Sequence, residues 1–143
     1  FFPLAARLTA INKLSQSVTA DHKLLNFFME HTKEVIIEKA YHLLKSTIPM
    51  LEGLPRSQKF TLGDRIQNHL SDLLEFLIRA YYSPSSEKRP ILNQINIHLE
   101  ILRYYFRLGY ERGHYNSLKY QELAEKTDEI GRITGGWLKS LRS

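Results

Sequence analysis

Residues Leu62–Tyr81 read LGDRIQNHLSDLLEFLIRAY. Leu62, Ile66, Leu70, Leu73, Leu77 and Tyr81 recur at steps of 4, 4, 3, 4 and 4, which aligns all six along one side of an α-helix. The spacing predicts a helix opening after Thr61, with Asp64 three residues on as a near capping box. It closes at Tyr82-Ser83-Pro84, because a residue preceding proline avoids the helical region.

On either side of this stretch the chain's breakers fall in clusters: Pro49, Gly53 and Pro55; Pro84 and Pro90; Gly109 and Gly113. The segments between them carry apolar residues at steps of three and four. One helix is predicted from Asp21, its N-cap, to Thr47, with Phe28, Ile36, Ala40 and Leu43 beside Ile37, Tyr41, Leu44 and Ile48. Another starts near Glu87, with Pro90 in its first turn and Gly113 as C-cap. Ile91, Ile95, Leu99, Leu102 and Phe106 line one side of it, and Ile101, Tyr105 and Leu108 widen that side. The last runs from Asn116 or Ser117 to Leu141 through Leu123, Ile130, Ile133 and Trp137. No segment alternates with period two for long enough to make a strand. The expected fold is therefore all-α, an up-down-up-down four-helix bundle over residues 21–143. Residues 1–20 form an N-terminal extension in which Leu4, Leu8, Ile11 and Leu14 carry helical spacing and Ser15–Thr19 reads as a linker.

Composition narrows the function. The apolar share of 43% and charged share of 24% are those of a folded globular chain rather than a disordered one. The absence of cysteine excludes disulfides, thiolate metal sites and cysteine nucleophiles. No apolar run approaches the roughly 18 residues of a membrane span. None of the six histidines stands at HxxxH or Glu-x-x-His spacing within a helix, so no metal site is expected. Phosphate-binding glycine loops and a G-x-S-x-G elbow are missing as well. Gly131-Arg132-Ile133-Thr134-Gly135-Gly136 is glycine-rich but lies within a helical pattern, where the backbone amides are already bonded. Glu122, Glu125, Asp128 and Glu129 space like a solvated helix face rather than an acid–base pair. The expectation is a protein that is not an enzyme and needs no cofactor.

The net charge of +5 supports an acidic or polyanionic partner without requiring one. Arg56, Lys59 and Arg65 straddle the turn into the second helix. Lys88 and Arg89 precede the third, and Arg112, Arg132, Lys139 and Arg142 extend this group. Arg103 and Arg107 stand one turn apart on the third helix, with Tyr110 and His114 on the same face. They are open to two readings: heads paired with Glu100, Glu111 or Asp128, or a phosphate-binding strip with tyrosines that stack on bases. That helix is apolar or aromatic around most of its circumference, more than a four-helix bundle buries, and the surplus points to association of subunits. In the last helix Gly131 and Gly135 share a face and cost helix propensity, which close approach of another helix or subunit offsets. Trp137 and Tyr105 are candidates for the same packing.

Three stretches resemble a known family. Leu54–Ile66 (LPRSQKFTLGDRI) resembles the turn into the second helix of the accessory variability determinant proteins of diversity-generating retroelements. Leu99–Leu108 (LEILRYYFRL) is similar to their third helix, and Asp128–Leu138 (DEIGRITGGWL) to their C-terminal signature. The likeness spans roughly residues 28–143 and extends more weakly to four-helix-bundle proteins encoded in intervening sequences of 23S ribosomal RNA genes. It implies a homopentameric ring of bundles with a basic surface and no catalysis of its own, in the cytoplasm and without a membrane partner. The implied partners are the retroelement's reverse transcriptase and its template RNA or cDNA, in mutagenic retrohoming. The implied contacts are Arg56, Lys59, Arg65, Arg103, Arg107 and Arg132. The alternative is a purely structural homo-oligomeric bundle of the intervening-sequence type, with a protein partner only.

Overall fold

A computed structural model describes residues 22–141, with side chains described at residues 24 and 31 and from 33 onward. The extension 1–20, the Asp21 cap, the Phe28 side chain and Arg142 lie outside the described residues. Four long helices are present, α1 (His22–Glu52), α2 (Asp64–Tyr82), α3 (Ser85–Glu111) and α4 (Ser117–Ser140), and no strand occurs among the described residues. Each packs on two neighbours: α1 on α2 and α4, and α3 on α2 and α4. Cross-helix contacts descend in opposite senses along each pair, as in Ser46–Lys119 and Lys39–Glu129, so adjacent helices are antiparallel.

The stripe that predicted the fold is the core. Ile66, Leu70, Leu73 and Leu77 are fully buried against Ile36, Ala40 and Leu43 of α1, Leu92, Ile95, Leu99, Leu102 and Phe106 of α3, and Leu123, Ile130 and Trp137 of α4. In α4 the gaps of the apolar repeat are filled by buried Thr127 and Thr134. Their hydroxyls donate to the carbonyls of Leu123 and Ile130 at 2.7 and 2.8 Å, so neither hydroxyl is left bare in the interior.

Helix ends depart from the expected ones for identifiable reasons. α1 does not stop at Thr47 but runs through Pro49 to Glu52. Pro49 has no N–H to offer the Lys45 carbonyl, and the added turn is held from outside the helix. Lys119 Nζ of α4 donates to the Ser46 carbonyl at 3.1 Å, and buried Leu51 and Leu54 hold the added turn to the core. Tyr41, expected in the α1 stripe, is half exposed. Thr61 is no cap: its hydroxyl turns back toward the carbonyls of Ser57 and Gln58, because the chain is already helical from Arg56. α3 begins at Ser85, so Pro90 lies in its second turn and Leu92 rather than Ile91 is buried.

Lys88, expected on the basic surface, is only 5% exposed. Its ammonium donates to the carbonyls of Ala80 and Tyr81 at 2.6 and 3.2 Å, closing the C-terminal end of α2, where free carbonyls attract a cation. Two other ends match expectation. Asn116 accepts from Lys119 N at 2.9 Å and caps α4. Gly113 adopts a φ of 77° and ends α3, with Gly113 N bonded to Tyr110 O and His114 N to Gly109 O. Gly109 is a feature that periodicity does not reveal. A β-carbon there would meet the Tyr115 ring at 2.6–2.9 Å, and Tyr115 must fold over it to donate its hydroxyl to the Phe106 carbonyl. Burial, and then the neighbouring Tyr120, push the Tyr115 phenol well above its ordinary pKa, keeping that donor protonated.

Candidate functional site

The approach to α2 is built from the core outward. Pro55 turns the chain after Leu54 and accepts from the amides of Gln58 and Lys59 at 2.8 and 3.1 Å. A single α-turn, Arg56–Gln58, then widens into a π-helical turn, Lys59–Gly63, in which Asp64 N–H bonds back to Lys59 O. Leu54, Leu62 and Gly63 face inward, and a β-carbon on Gly63 would press on Leu54 at 3.2 Å. Arg56, Lys59 and Arg65 face solvent, and among the described residues no ion pair engages any of them. The only carboxylate between Pro55 and Ile66 is Asp64. This cluster is therefore a solvent-facing patch of positive charge.

Arg103 and Arg107 are differently placed. Arg103 Nε donates to Asp128 Oδ1 of α4 at 2.9 Å and its Nη1 to Glu100 Oε2 at 3.0 Å. Arg107 Nε donates to Glu111 Oε1 at 2.7 Å. The paired-head reading of these two arginines is thus the arrangement within one chain. Gly131 makes room for it, since a β-carbon there would meet Arg103 Nη2 at 2.9 Å. Asn96, Arg103, Asp128, Gly131 and Arg132 line one shallow depression between α3 and α4, where exposed Arg132 has no ion pair among the described residues. The structure thus brings Arg103 and Arg132 together. Arg56, Lys59 and Arg65 form a separate group at the bundle end where α1 finishes, and Arg107 lies near the α3 terminus at that same end.

The expected apolar wrap of α3 narrows to a stripe on its outward side, flanked by exposed Asn93, Asn96, Glu100 and Arg107. Ile97, Tyr104 and Leu108 are 51%, 63% and 45% exposed, with Ile101 and Tyr105 half-buried beside them. A β-carbon added to Gly135 of α4 would meet nothing within 4 Å among the described residues, so within one chain this glycine makes no close packing. Trp137 is buried, with the ammonium groups of Lys33 and Lys88 over its ring at 5.4 and 5.6 Å from the centroid.

The histidines form no cluster of three metal-binding groups among the described residues. His69 of α2 and His98 of α3, 29 residues apart, nevertheless meet with their Nδ1 atoms 3.0 Å apart. One ring must leave that nitrogen bare to accept the other's proton. Burial, then His98, and more weakly Arg65 lower the His69 pKa, against Asp72, which raises it. The folded state thus prefers neutral His69, and the unfolded chain binds its proton first as pH falls. This contribution to stability is full above the ordinary value of 6.5 and is lost as pH drops below it. Urea midpoints should fall between pH 7.5 and 5.5, and His69→Gln should flatten that slope.

Among known protein families, the one described as bAvd-like matches residues 34–141, which takes in all of α2, α3 and α4 and most of α1. No curated protein and no solved structure matches the chain.

Proposed function

Because the chain belongs to the bAvd-like family, whose members are accessory and non-catalytic, we propose that it serves a diversity-generating retroelement by holding template RNA or cDNA against the reverse transcriptase. In this reading several copies assemble into a ring, a pentamer by the family resemblance. The apolar stripe of Ile97, Tyr104 and Leu108 on α3 supplies surface for assembly, and symmetry repeats each subunit's cations around the ring. The observation that carries the reading is the family match over the bundle. The ion-pair-free Arg56, Lys59 and Arg65 support it, with Arg132 beside the α3–α4 depression. Binding of this kind neutralises phosphates without reading sequence, so affinity falls steeply with salt.

The ion pairs of Arg103 and Arg107 favour a second reading, a structural oligomer whose partner is protein alone. The two separate on one experiment, in which the reverse transcriptase is co-purified with the chain and RNA affinity is measured at two ionic strengths. Salt-sensitive RNA binding together with capture of the transcriptase supports the first; capture with no RNA binding at low salt supports the second.

Assembly has its own test. Gly135→Leu adds bulk where the single chain has open space, so thermal stability should change by less than about 1 kcal/mol. If Gly135 faces a neighbouring subunit, the particle mass by light scattering should fall.

A further inference from the structure

Phe60 sits inside the π-helical turn Lys59–Gly63 and is 74% exposed. Its neighbours explain why it points outward: Leu54 and Leu62 already fill this end of the core, and buried Gly63 leaves no room for a second large ring. One turn before it stands Arg56. Lys59 adjoins it, and Arg65 follows five positions on, in the first turn of α2. Three exposed cations without ion pairs among the described residues thus stand within five positions of one exposed aromatic ring, on a turn anchored by Leu54, Leu62 and Gly63.

The other exposed rings lack this setting: Tyr41 lies against His42, centroids 5.7 Å apart, beside Glu38. Tyr104 stands between Arg103 and Arg107, whose heads are held by carboxylates. Tyr82 packs edge-on against Tyr81, centroids 4.9 Å apart, near the paired Glu75 and Arg79. Tyr110 is already stacked on Tyr120 at 4.8 Å, the planes within 5°. Ile97 and Leu108 belong with Tyr104 to the apolar side of α3, where a subunit contact is the natural use. Phe60 stands apart from that side, in a cationic field unsuited to an apolar subunit seam.

We infer that Phe60 is a stacking platform for an unpaired base of a bound single strand, with Arg56, Lys59 and Arg65 holding the flanking phosphates. The pairing of a π-face with adjacent cations is the arrangement that binds single strands without sequence preference. Phenylalanine suits it because the ring has no hydroxyl to select among bases. A duplex keeps its bases stacked inside, so the platform adds nothing to duplex binding. The inference rests on the nucleic-acid reading above and assigns it a strand form.

The test measures anisotropy of a labelled single-stranded RNA and of the same sequence as a duplex, with the wild-type chain, Phe60→Ala and Phe60→Trp. Phe60→Ala should weaken single-strand binding about five- to 150-fold, leave the salt slope unchanged, and leave duplex binding unchanged. Phe60→Trp should restore the affinity, and its exposed indole should be quenched by the strand, over the constant background of buried Trp137. Phe60 contributes nothing to the core, so all variants should melt alike. Equal single-strand affinity of wild type and Phe60→Ala overturns the inference and leaves the nucleic-acid reading standing. The same holds if Phe60→Ala loses only the reverse transcriptase, which would make the ring a protein contact. A wild-type chain that binds neither RNA at low salt overturns both.

Discussion

Trp137→Ala is expected to lower the free energy of unfolding by about 3–5 kcal/mol, the cost of deleting a large aromatic side chain from a packed interior. Trp137 is 2% exposed and closes the end of the core where α1 begins and α4 finishes. Its loss removes more than contact area. Lys88, 5% exposed, lies with its ammonium over the indole while it caps α2, so truncation also opens the surroundings of a buried charge. Small domains hold about 5–15 kcal/mol in total, and the variant should give up a large part of this. A urea titration should show a much lower midpoint with an unchanged slope. Trp137→Phe, which keeps an aromatic ring over the same position, should recover more than half of the loss.

The second large effect concerns binding. Simultaneous reversal of Arg56, Lys59 and Arg65 to glutamate should weaken single-stranded RNA binding about a hundredfold or more at low salt. It should also reduce the slope of log affinity against log salt by about 2 for each engaged subunit, since each phosphate contact to a single strand contributes about 0.7. All three side chains are exposed and outside any ion pair among the described residues, so the bundle should melt within about 1 kcal/mol of the wild type. Arg103→Gln provides the comparison. Its guanidinium is held by Asp128 and Glu100, so its removal should alter RNA affinity far less than the triple reversal does.

Much of this architecture was legible in the sequence because a bundle core obeys one simple period. The stripe from Leu62 to Leu77 is buried residue for residue, and α3 and α4 bury Ile95, Leu99, Leu102, Phe106, Leu123, Ile130 and Trp137, while Ile91, Ile133 and Leu141 stay partly exposed and Leu108 faces outward. What periodicity did not convey came from interactions across helices. Lys88 reads as surface charge because its acceptors, Ala80 and Tyr81, lie on the preceding helix. Pro49 reads as a stop because the lysine that supports the turn beyond Ser46 is 73 residues away in sequence. His69 and His98 show no ligand spacing along the chain, yet α2 and α3 bring them together.

The candidate site was legible as composition more than as arrangement. Arg56, Lys59 and Arg65 are recognisable as a basic group, whereas their freedom from carboxylates is a three-dimensional property. Arg103 and Arg107 look alike from their one-turn spacing, but Asp128 on α4 is what sets Arg103 apart. Phe60 carries no periodic signal at all. The π-helical turn that presents it depends on Leu54 and Gly63 packing at the end of the core, and local sequence does not specify a widened turn.

The most direct measurement is sedimentation of a fluorescently labelled single-stranded RNA with the unmodified chain, first at low salt and then at about 0.5 M. The expected result is that at low salt the RNA travels with a particle several times the 16.8 kDa chain mass and that salt releases it while the particle stays assembled. A 16.8 kDa species that leaves the RNA behind in the most dilute buffer would contradict it.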